Sequence, residues 1–325
     1  MLPDHPVFET MNKFGSQRIP FLFVIDFEGI RPMVLPLASA ASQQIFFNLR
    51  GNTNANFPIP ENPHLLTFMR HPVDLKVYRK AFDIVKKGLE YGDSYLLNLT
   101  FATAVEVNRS LPELFLSGKA PYRLLFRDEF VVFSPECFVR ISDNTIRSFP
   151  MKGTIDAGIP DAAGKLQNDP KEAAEHNTIV DLIRNDLSMV ADRVRVERFR
   201  YLEEIKTNQK HLLQASSEIS GQLLPGWETS IGSLMQTLLP AGSVSGAPKK
   251  RTVEIIREAE GSDRGYYTGV FGLFDGQCLD SAVMIRFIEK SDNGLFFRSG
   301  GGITVNSNPE NEYREMIDKV YVPVV

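Results

Sequence analysis

Two pairs of glutamates stand three residues apart, Glu172 with Glu175 and Glu312 with Glu315. Residues at that spacing share one face of a helix. Two such faces brought together would make an oxygen-rich site for a hard divalent cation; magnesium takes one or two protein carboxylates and fills its shell with water and substrate oxygens. The same spacing fits two solvated faces with Glu172 capping its own helix, and spacing alone leaves both readings open. Lys152, in Pro150-Met151-Lys152-Gly153-Thr154, ends a predicted strand beside a glycine. There it is either a solvated surface charge or, if desolvation lowers its pKa, a nucleophile. Glu136, after Pro135, is a candidate general acid or an idle strand-edge residue, and His211 is open to the same two readings. Arg286 lies among apolar residues, where an unpaired charge is costly, so it is the better anion-binding candidate.

Glycine-rich stretches add to this set. Gly242-Ser243-Val244-Ser245-Gly246-Ala247-Pro248-Lys249 opens directly into a predicted helix, whose free N–H groups and positive dipole end suit a carboxylate or phosphate. It is not a P-loop, because Lys249 follows proline. Gly300-Gly301-Gly302 follows a strand, where three glycines cost entropy unless a ligand or backbone approaches closely. Either stretch also fits a tight turn. The chain carries no His/Cys metal cluster, nucleophile elbow or dinucleotide fingerprint.

The elements that must position these residues are legible in outline. Asp169-Pro170-Lys171-Glu172 supplies a cap, a first-turn proline and a capping-box acid, predicting a helix through Leu182. A second helix starts at Pro248 and turns Val253, Ile256 and Ala259 inward before Gly261; a third runs from Asn308-Pro309 to about Val320. Leu75, Tyr78, Phe82, Val85 and Leu89 recur at helical spacing between Asp74 and Gly92. Strands are expected at Pro20 to Asp26, Tyr95 to Val105, Tyr122 to Phe126, Phe130 to Phe133, Phe138 to Ile141 and Thr145 to Phe149. Asn48 to Pro63 reads as an exposed loop, and Asp275-Gly276 and Asn293-Gly294 as hairpin turns. Few βαβ units are visible. An α+β fold with antiparallel strands is expected, not a doubly wound one.

Composition bounds the rest. The 325 residues are 43% hydrophobic and 23% charged, enough for a large core in one large domain or two intimate ones. Thirty-six basic against 40 acidic residues leave a formal charge of -4, which argues against nucleic acid or an anionic membrane as partner. Two cysteines, Cys137 and Cys278, cannot build a disulfide framework or a thiolate zinc site and fit a reducing compartment. Residues 1–15 lack a signal-peptide pattern, and the apolar runs are too short to span a bilayer. A cytoplasmic protein is expected. Unaided, the residues support an α+β enzyme that binds a small polyanion with a divalent metal.

Taken in order, these motifs resemble the chorismate-utilising enzymes, and within that family most closely the aminodeoxychorismate synthases, component I of para-aminobenzoate synthesis. The resemblance rests on Ser134-Pro135-Glu136, the Lys152 motif, Glu175-His176-Asn177 with Asp181 and Arg184-Asn185-Asp186-Leu187, Gly242 to Lys249, Gly300 to Ile303, and Glu312-Tyr313-Arg314-Glu315. It covers the chain from about residue 75 to the end. It implies a single domain of two stacked antiparallel sheets flanked by outer helices, with residues 1–70 as a short strand-rich segment packed on a catalytic domain of 71–325.

The resemblance also implies Mg²⁺ held by Glu175 and Glu315, with Glu172 and Glu312 beside them, gripping the ring carboxylate of chorismate. Ser243, Tyr267, Arg286 and the Gly300 to Gly302 backbone would hold the other carboxylate, and Lys319 would add a cation at the metal end. Lys152 would attack ring C2 and displace the C4 hydroxyl, which Glu136 protonates; ammonia would then add at C4. His211 matches a histidine that lies near the ring in related members. Anthranilate synthases carry alanine where Lys152 stands, and the lysine that activates water in isochorismate and salicylate synthases is replaced by Leu96. Ser188-Met189 departs from a common Gly-Arg, and no tryptophan-binding segment has a counterpart. Neither cysteine sits in a glutaminase setting, so ammonia is expected from a separate glutamine amidotransferase subunit. The rival expectations are anthranilate formation and a silent subunit that only docks a glutaminase.

Overall fold

The computed structural model describes residues 2–56, 65–206 and 211–323. Among them are eight helices and two nine-stranded sheets. Helix α1 (Pro6–Ser16) precedes β1 (Phe21–Ile25), β2 (Met33–Pro36), β3 (Ile45–Leu49), β4 (Asn52–Thr53) and β5 (Phe68–His71). Part of the loop expected at 48–63 is thus a small hairpin; residues 57–64 lie outside the described set. Helix α2 (Leu75–Tyr91) has the expected caps: Asp74 accepts from the Lys76 N–H at 2.7 Å, and Gly92 at φ +86° ends the helix in the left-handed region.

Strand β6 (Leu96–Val107) is followed by α3 (Leu111–Ser117), β7 (Tyr122–Phe126), β8 (Phe130–Ser134), β9 (Cys137–Ser142), β10 (Thr145–Ser148) and β11 (Met151–Asp156). Helices α4 (Ala162–Asn168) and α5 (Pro170–Ser188) lead to β12 (Asp192–Lys206) and β13 (His211–Gln222). Next come α6 (Ile231–Leu238), β14 (Gly246–Ala247), α7 (Lys249–Glu260), β15 (Val270–Phe274), β16 (Leu279–Val283), β17 (Phe287–Ser291), β18 (Gly294–Ile303) and α8 (Pro309–Asp318).

One sheet runs β11-β13-β10-β9-β16-β15-β1-β2, with β12 also on β13; the other runs β14-β6-β18-β17-β8-β7-β3-β4, with β5 also on β6. Every pairing is antiparallel. The N-terminal strands β1 to β5 extend both sheets. Leu22, Val24 and Phe271 of one sheet pack against Phe47, Leu124, Val132 and Phe287 of the other, forming the inner core. The outer face of the first sheet is covered by α1, α5 and α6 through Phe8, Met11, Val180, Leu187 and Met235. The outer face of the second takes α2, α7 and α8 through Phe82, Val85, Ile256 and Met316, with α3 further along. Burial on both faces explains why β1 is an unbroken apolar run. This is the expected stack of two antiparallel sheets between helices.

Two details position the site. In α5 the Asp169 side chain accepts from both Lys171 and Glu172 N–H groups, at 2.9 and 3.0 Å. The Glu172 carboxylate is therefore not needed as a capping-box partner. It lies instead against Gly153, where an added methyl would come within 2.9 Å of its Oε2. In the second sheet, β18 pairs with β6 in a register that sets Gly301 opposite Leu99 and Gly302 opposite Asn98.

Candidate active site

A cavity of about 200 Å³ opens between the ends of the two sheets. Glu136, Lys152, Ser243, Tyr267, Arg286 and Lys319 line it, together with Leu96, Gly300 and Gly302. Residues far apart in sequence are thus gathered around one space of small-molecule size.

Lys152 reaches it from β11. Its Nζ stands 2.7 Å from Glu175 Oε2 on α5. Burial acts to lower the lysine pKa, but Glu175, then Glu315 and Glu172, outweigh it, and the ammonium is held above the ordinary lysine range. Glu136 lies in the link between β8 and β9, where its backbone N–H donates to Ser134 Oγ at 3.1 Å. The Ser243 hydroxyl donates to Glu136 Oε1. Burial raises the Glu136 pKa and outweighs the opposing help of Ser243 and Lys152. An acid that keeps its proton above the usual carboxylate range can donate it.

The three glycines have different reasons. A methyl on Gly300 would meet Leu99 O at 2.3 Å, so the close pairing of β18 and β6 excludes a side chain there. A methyl on Gly301 would stand 3.6 to 3.8 Å from Glu312 Oε2, Lys319 Nζ and Glu315 Oε1. At Gly302 it would stand 3.1 Å from Leu96 Cδ1 and 3.8 Å from Lys152 Nζ. The backbone at 301 thus faces the acids of α8, and that at 302 faces the lysine.

The paired glutamates converge from α5 and α8. Burial raises the pKa of Glu312, and Glu315 and Glu175 add to the rise; burial likewise raises Glu172, helped by Glu175. In Glu315 burial is outweighed by Lys319, Lys152 and Lys171, which leave its carboxyl below the ordinary range. Lys319 Nζ stands 2.8 Å from Glu315 Oε1 and donates to Gly300 O at 2.9 Å. Among the described residues no three acids yet stand close enough to enclose a cation. Four carboxylates balanced by lysines from three elements nevertheless fit a hard divalent ion in chemistry, since oxygen is its preferred donor.

Arg286 holds a left-handed backbone, φ 53°, a strain that a side chain of this kind accepts only when its surroundings require it. Its guanidinium donates to Lys319 O at 2.5 Å and lies 4.6 Å from the Tyr321 ring centre. Tyr267 is buried, and burial pushes its hydroxyl pKa up, so it remains a donor. His211 is not brought to this cavity. It starts β13, more than half exposed, with Nδ1 at 3.0 Å from Glu204 Oε1 across the hairpin. The strand is an inner one, flanked by β11, β10 and β12, and the exposed ring at its start points to no part of the cavity lining.

Sequence reasoning missed several groups. Arg298 lines the cavity and is held by Glu289 at 2.6 Å. Asp186 and Lys249 form a 2.9 Å ion pair between α5 and the start of α7, just behind the Ser243 loop. Arg264, 1% exposed, donates to Val244 O and Asn98 O at 2.7 and 2.6 Å and pairs with Glu260, tying two cavity walls together. Its segment, Gly-Ser-Asp-Arg-Gly, reads as an exposed turn and gives no warning of this.

A family model described as chorismate binding enzyme matches residues 37–324. An uncharacterized PabA-like protein of Pasteurella multocida is 54% identical over 98% of this chain and 99% of its own length. Anthranilate synthase component 1 of Archaeoglobus fulgidus is 36% identical over 74% of this chain and 61% of its own length. Aminodeoxychorismate synthase component 1 of Bacillus subtilis is 30% identical over 75% and 54% respectively. The chain therefore spans little more than half of those two synthases. Among solved structures, anthranilate synthase component I of Streptococcus pneumoniae superimposes with a TM-score of 0.66 at 27% identity, covering 78% of this chain and 58% of that one. The menaquinone-specific isochorismate synthase of Escherichia coli shares the fold, with a TM-score of 0.72 at 18% identity over 95% of this chain and 79% of the other. Among the described residues no helix is long and apolar enough to cross a membrane.

Proposed function

The chain belongs to the chorismate-binding enzyme family, and from that premise we propose that it aminates chorismate at C4, giving 4-amino-4-deoxychorismate on the route to para-aminobenzoate and folate. The observation that carries this reading is that one cavity holds a lysine and a buried glutamate whose pKa burial raises, Lys152 beside the acids of α5 and Glu136 beside Ser243. In this reading the Lys152 ammonium first yields a proton to water, the freed lone pair bonds to ring C2, the ring double bonds shift, and the C4–O bond breaks. Glu136 gives its proton to the departing oxygen, which leaves as water. Ammonia then bonds to C4, the double bonds shift back, and the electron pair of the C2–N bond returns to Lys152. Two moderate steps replace one difficult displacement.

Tyr267, Arg286 and the Ser243 loop would orient the side-chain carboxylate of the substrate. Glu175 and Glu315, with Glu172 and Glu312 beside them, would hold Mg²⁺, which when bound supplies a hard cation for the ring carboxylate. Ammonia is assigned to a separate glutamine amidotransferase subunit, in keeping with the relatives named component 1 and PabA-like.

Anthranilate formation is the second reading, favoured by the higher identity of one anthranilate synthase component over a similar share of the chain. Incubation with chorismate, Mg²⁺ and an ammonium salt separates the two. The expected product is the aminated, non-aromatic ring, and fluorescent anthranilate without added lyase overturns the assignment.

A further inference from the structure

Arg298 on β18 lines the cavity with a charge that neither the amination nor the metal site uses. Alternate residues of a strand share a face. The register of β18 on β6 is unbroken from Leu295 to Ile303, so Arg298, Gly300 and Gly302 look the same way. At Gly302 that face meets Lys152. At Arg298 it lies level with Phe287 of β17, a residue of the core between the two sheets. Arg298 therefore stands on the inner side of its sheet, roughly 13 Å along the strand from the Lys152 end.

Three arginines, Arg264, Arg298 and Arg286, lie close enough to Tyr267 for their charges to act on its hydroxyl. They differ in what their guanidinium groups already hold. Arg264 gives all three nitrogens to protein oxygens, so it is a strut. Arg286 gives one terminal nitrogen to Lys319 O and lies over the Tyr321 ring. Arg298 gives Nε to Glu289 Oε1 at 2.6 Å. Among the described residues its two terminal nitrogens meet no acceptor, and neither is sealed from solvent. A guanidinium held by Nε alone keeps an end-on fork of N–H donors, which matches the two oxygens of a carboxylate.

Resting on the reading that chorismate is the substrate, we propose that Arg298 is a further substrate-binding residue: its two terminal nitrogens receive the side-chain carboxylate of chorismate, while Glu289 holds the guanidinium in place through Nε. With Arg286 and Tyr267, that carboxylate meets two cations and a hydroxyl donor. Glu289 offsets one of the cations, so the empty cavity is not left with two unpaired arginines. Gly300 and Gly302 leave the strand face bare between the fork and Lys152, which gives the ring its room. Arg298 is therefore a specificity residue. It favours ligands with an acid on the side chain, whereas a ring acid at the metal end does not reach it.

Calorimetric titration of the whole chain with magnesium present and no ammonium tests this. Arg298→Gln should weaken chorismate binding about tenfold or more, since a charged hydrogen-bonding partner is lost. Benzoate, which has the ring acid and no side chain, should bind the variant as it binds the wild type. Arg298→Lys keeps the charge without the fork and should also weaken chorismate. Arg298→Gln combined with Glu289→Gln removes the pair together, which covers a stranded Glu289 that repels the substrate or unfolds the chain. The double variant should show the same loss. Wild-type chorismate affinity in either glutamine variant overturns the assignment, and so does an equal loss for benzoate. If the wild-type chain binds no chorismate, the substrate reading and the fork fall together. If it binds chorismate and makes no aminated product, only the amination falls, and the affinities still decide Arg298.

Discussion

Lys152 Nζ stands 2.7 Å from Glu175 Oε2, so the candidate nucleophile and a candidate magnesium ligand neutralise each other. The carboxylate that would grip a cation is the one that keeps the lysine charged and unreactive. Occupation of Glu175 by a divalent ion removes that counter-charge. Magnesium is therefore expected to increase the reactivity of Lys152 toward an amine-acylating reagent, read by peptide mass analysis. Equal labelling with and without magnesium would break this link.

Lys152→Ala should lower amination by about 100-fold or more, since it removes the covalent step. The residue is half-buried at the start of β11 and adds nothing to the apolar clusters, so the melting temperature should hardly change. Normal aminodeoxychorismate yield from a well-folded variant would exclude the nucleophile.

Glu315→Ala should abolish activity together with its magnesium dependence, because a methyl cannot coordinate. The checking measurement is a magnesium titration of rate after chelator treatment. A variant that titrates like the wild type would remove Glu315 from the metal site.

Glu136 must carry its proton to act as an acid. Its pKa is raised by burial, so the protonated form persists above the usual carboxylate range and is lost as pH rises through the raised value. The kcat profile should therefore fall on its alkaline side through that value, and Glu136→Gln should remove this limb along with most of the rate. A limb of equal position in the variant would assign it to another group.

His176, fully buried on α5 with Nε2 at 2.6 Å from Ser217 Oγ, has its pKa lowered to about 4, mainly by burial and then by Arg200. Below the ordinary value of 6.5 the unfolded chain binds a proton there that the native one refuses, so native stability drops on acidification from about 6.5 to about 4. The local slope is at most about 1.4 kcal/mol per pH unit. Denaturant melts across that window should show the decline, and His176→Gln should flatten it.

Much of the scaffold was legible in the chain. The caps at Asp74, Asp169 and Asn308 act on their first-turn N–H groups as expected, because such bonds are local. Strand periodicity survived for the same reason, while pairing partners did not show: β1 lies beside β15 across some 250 residues of sequence, and nothing in either segment announces the other. Within the site, lysine, glycines and paired acids stood out by type and spacing. Arg264 and the Asp186–Lys249 pair did not, since a buried charge is recognisable only once its partners from distant elements are in place. His211 shows the converse, a residue singled out by type whose position at an exposed strand start takes it away from the cavity.

The account stands most directly on where nitrogen enters the ring. Chorismate, Mg²⁺ and ¹⁵N-labelled ammonium incubated with the purified chain, followed by mass and NMR analysis of the product, measure that point. The account predicts 4-amino-4-deoxychorismate with the label on C4. Label in anthranilate, or an isomerised ring carrying oxygen and no label, would contradict it.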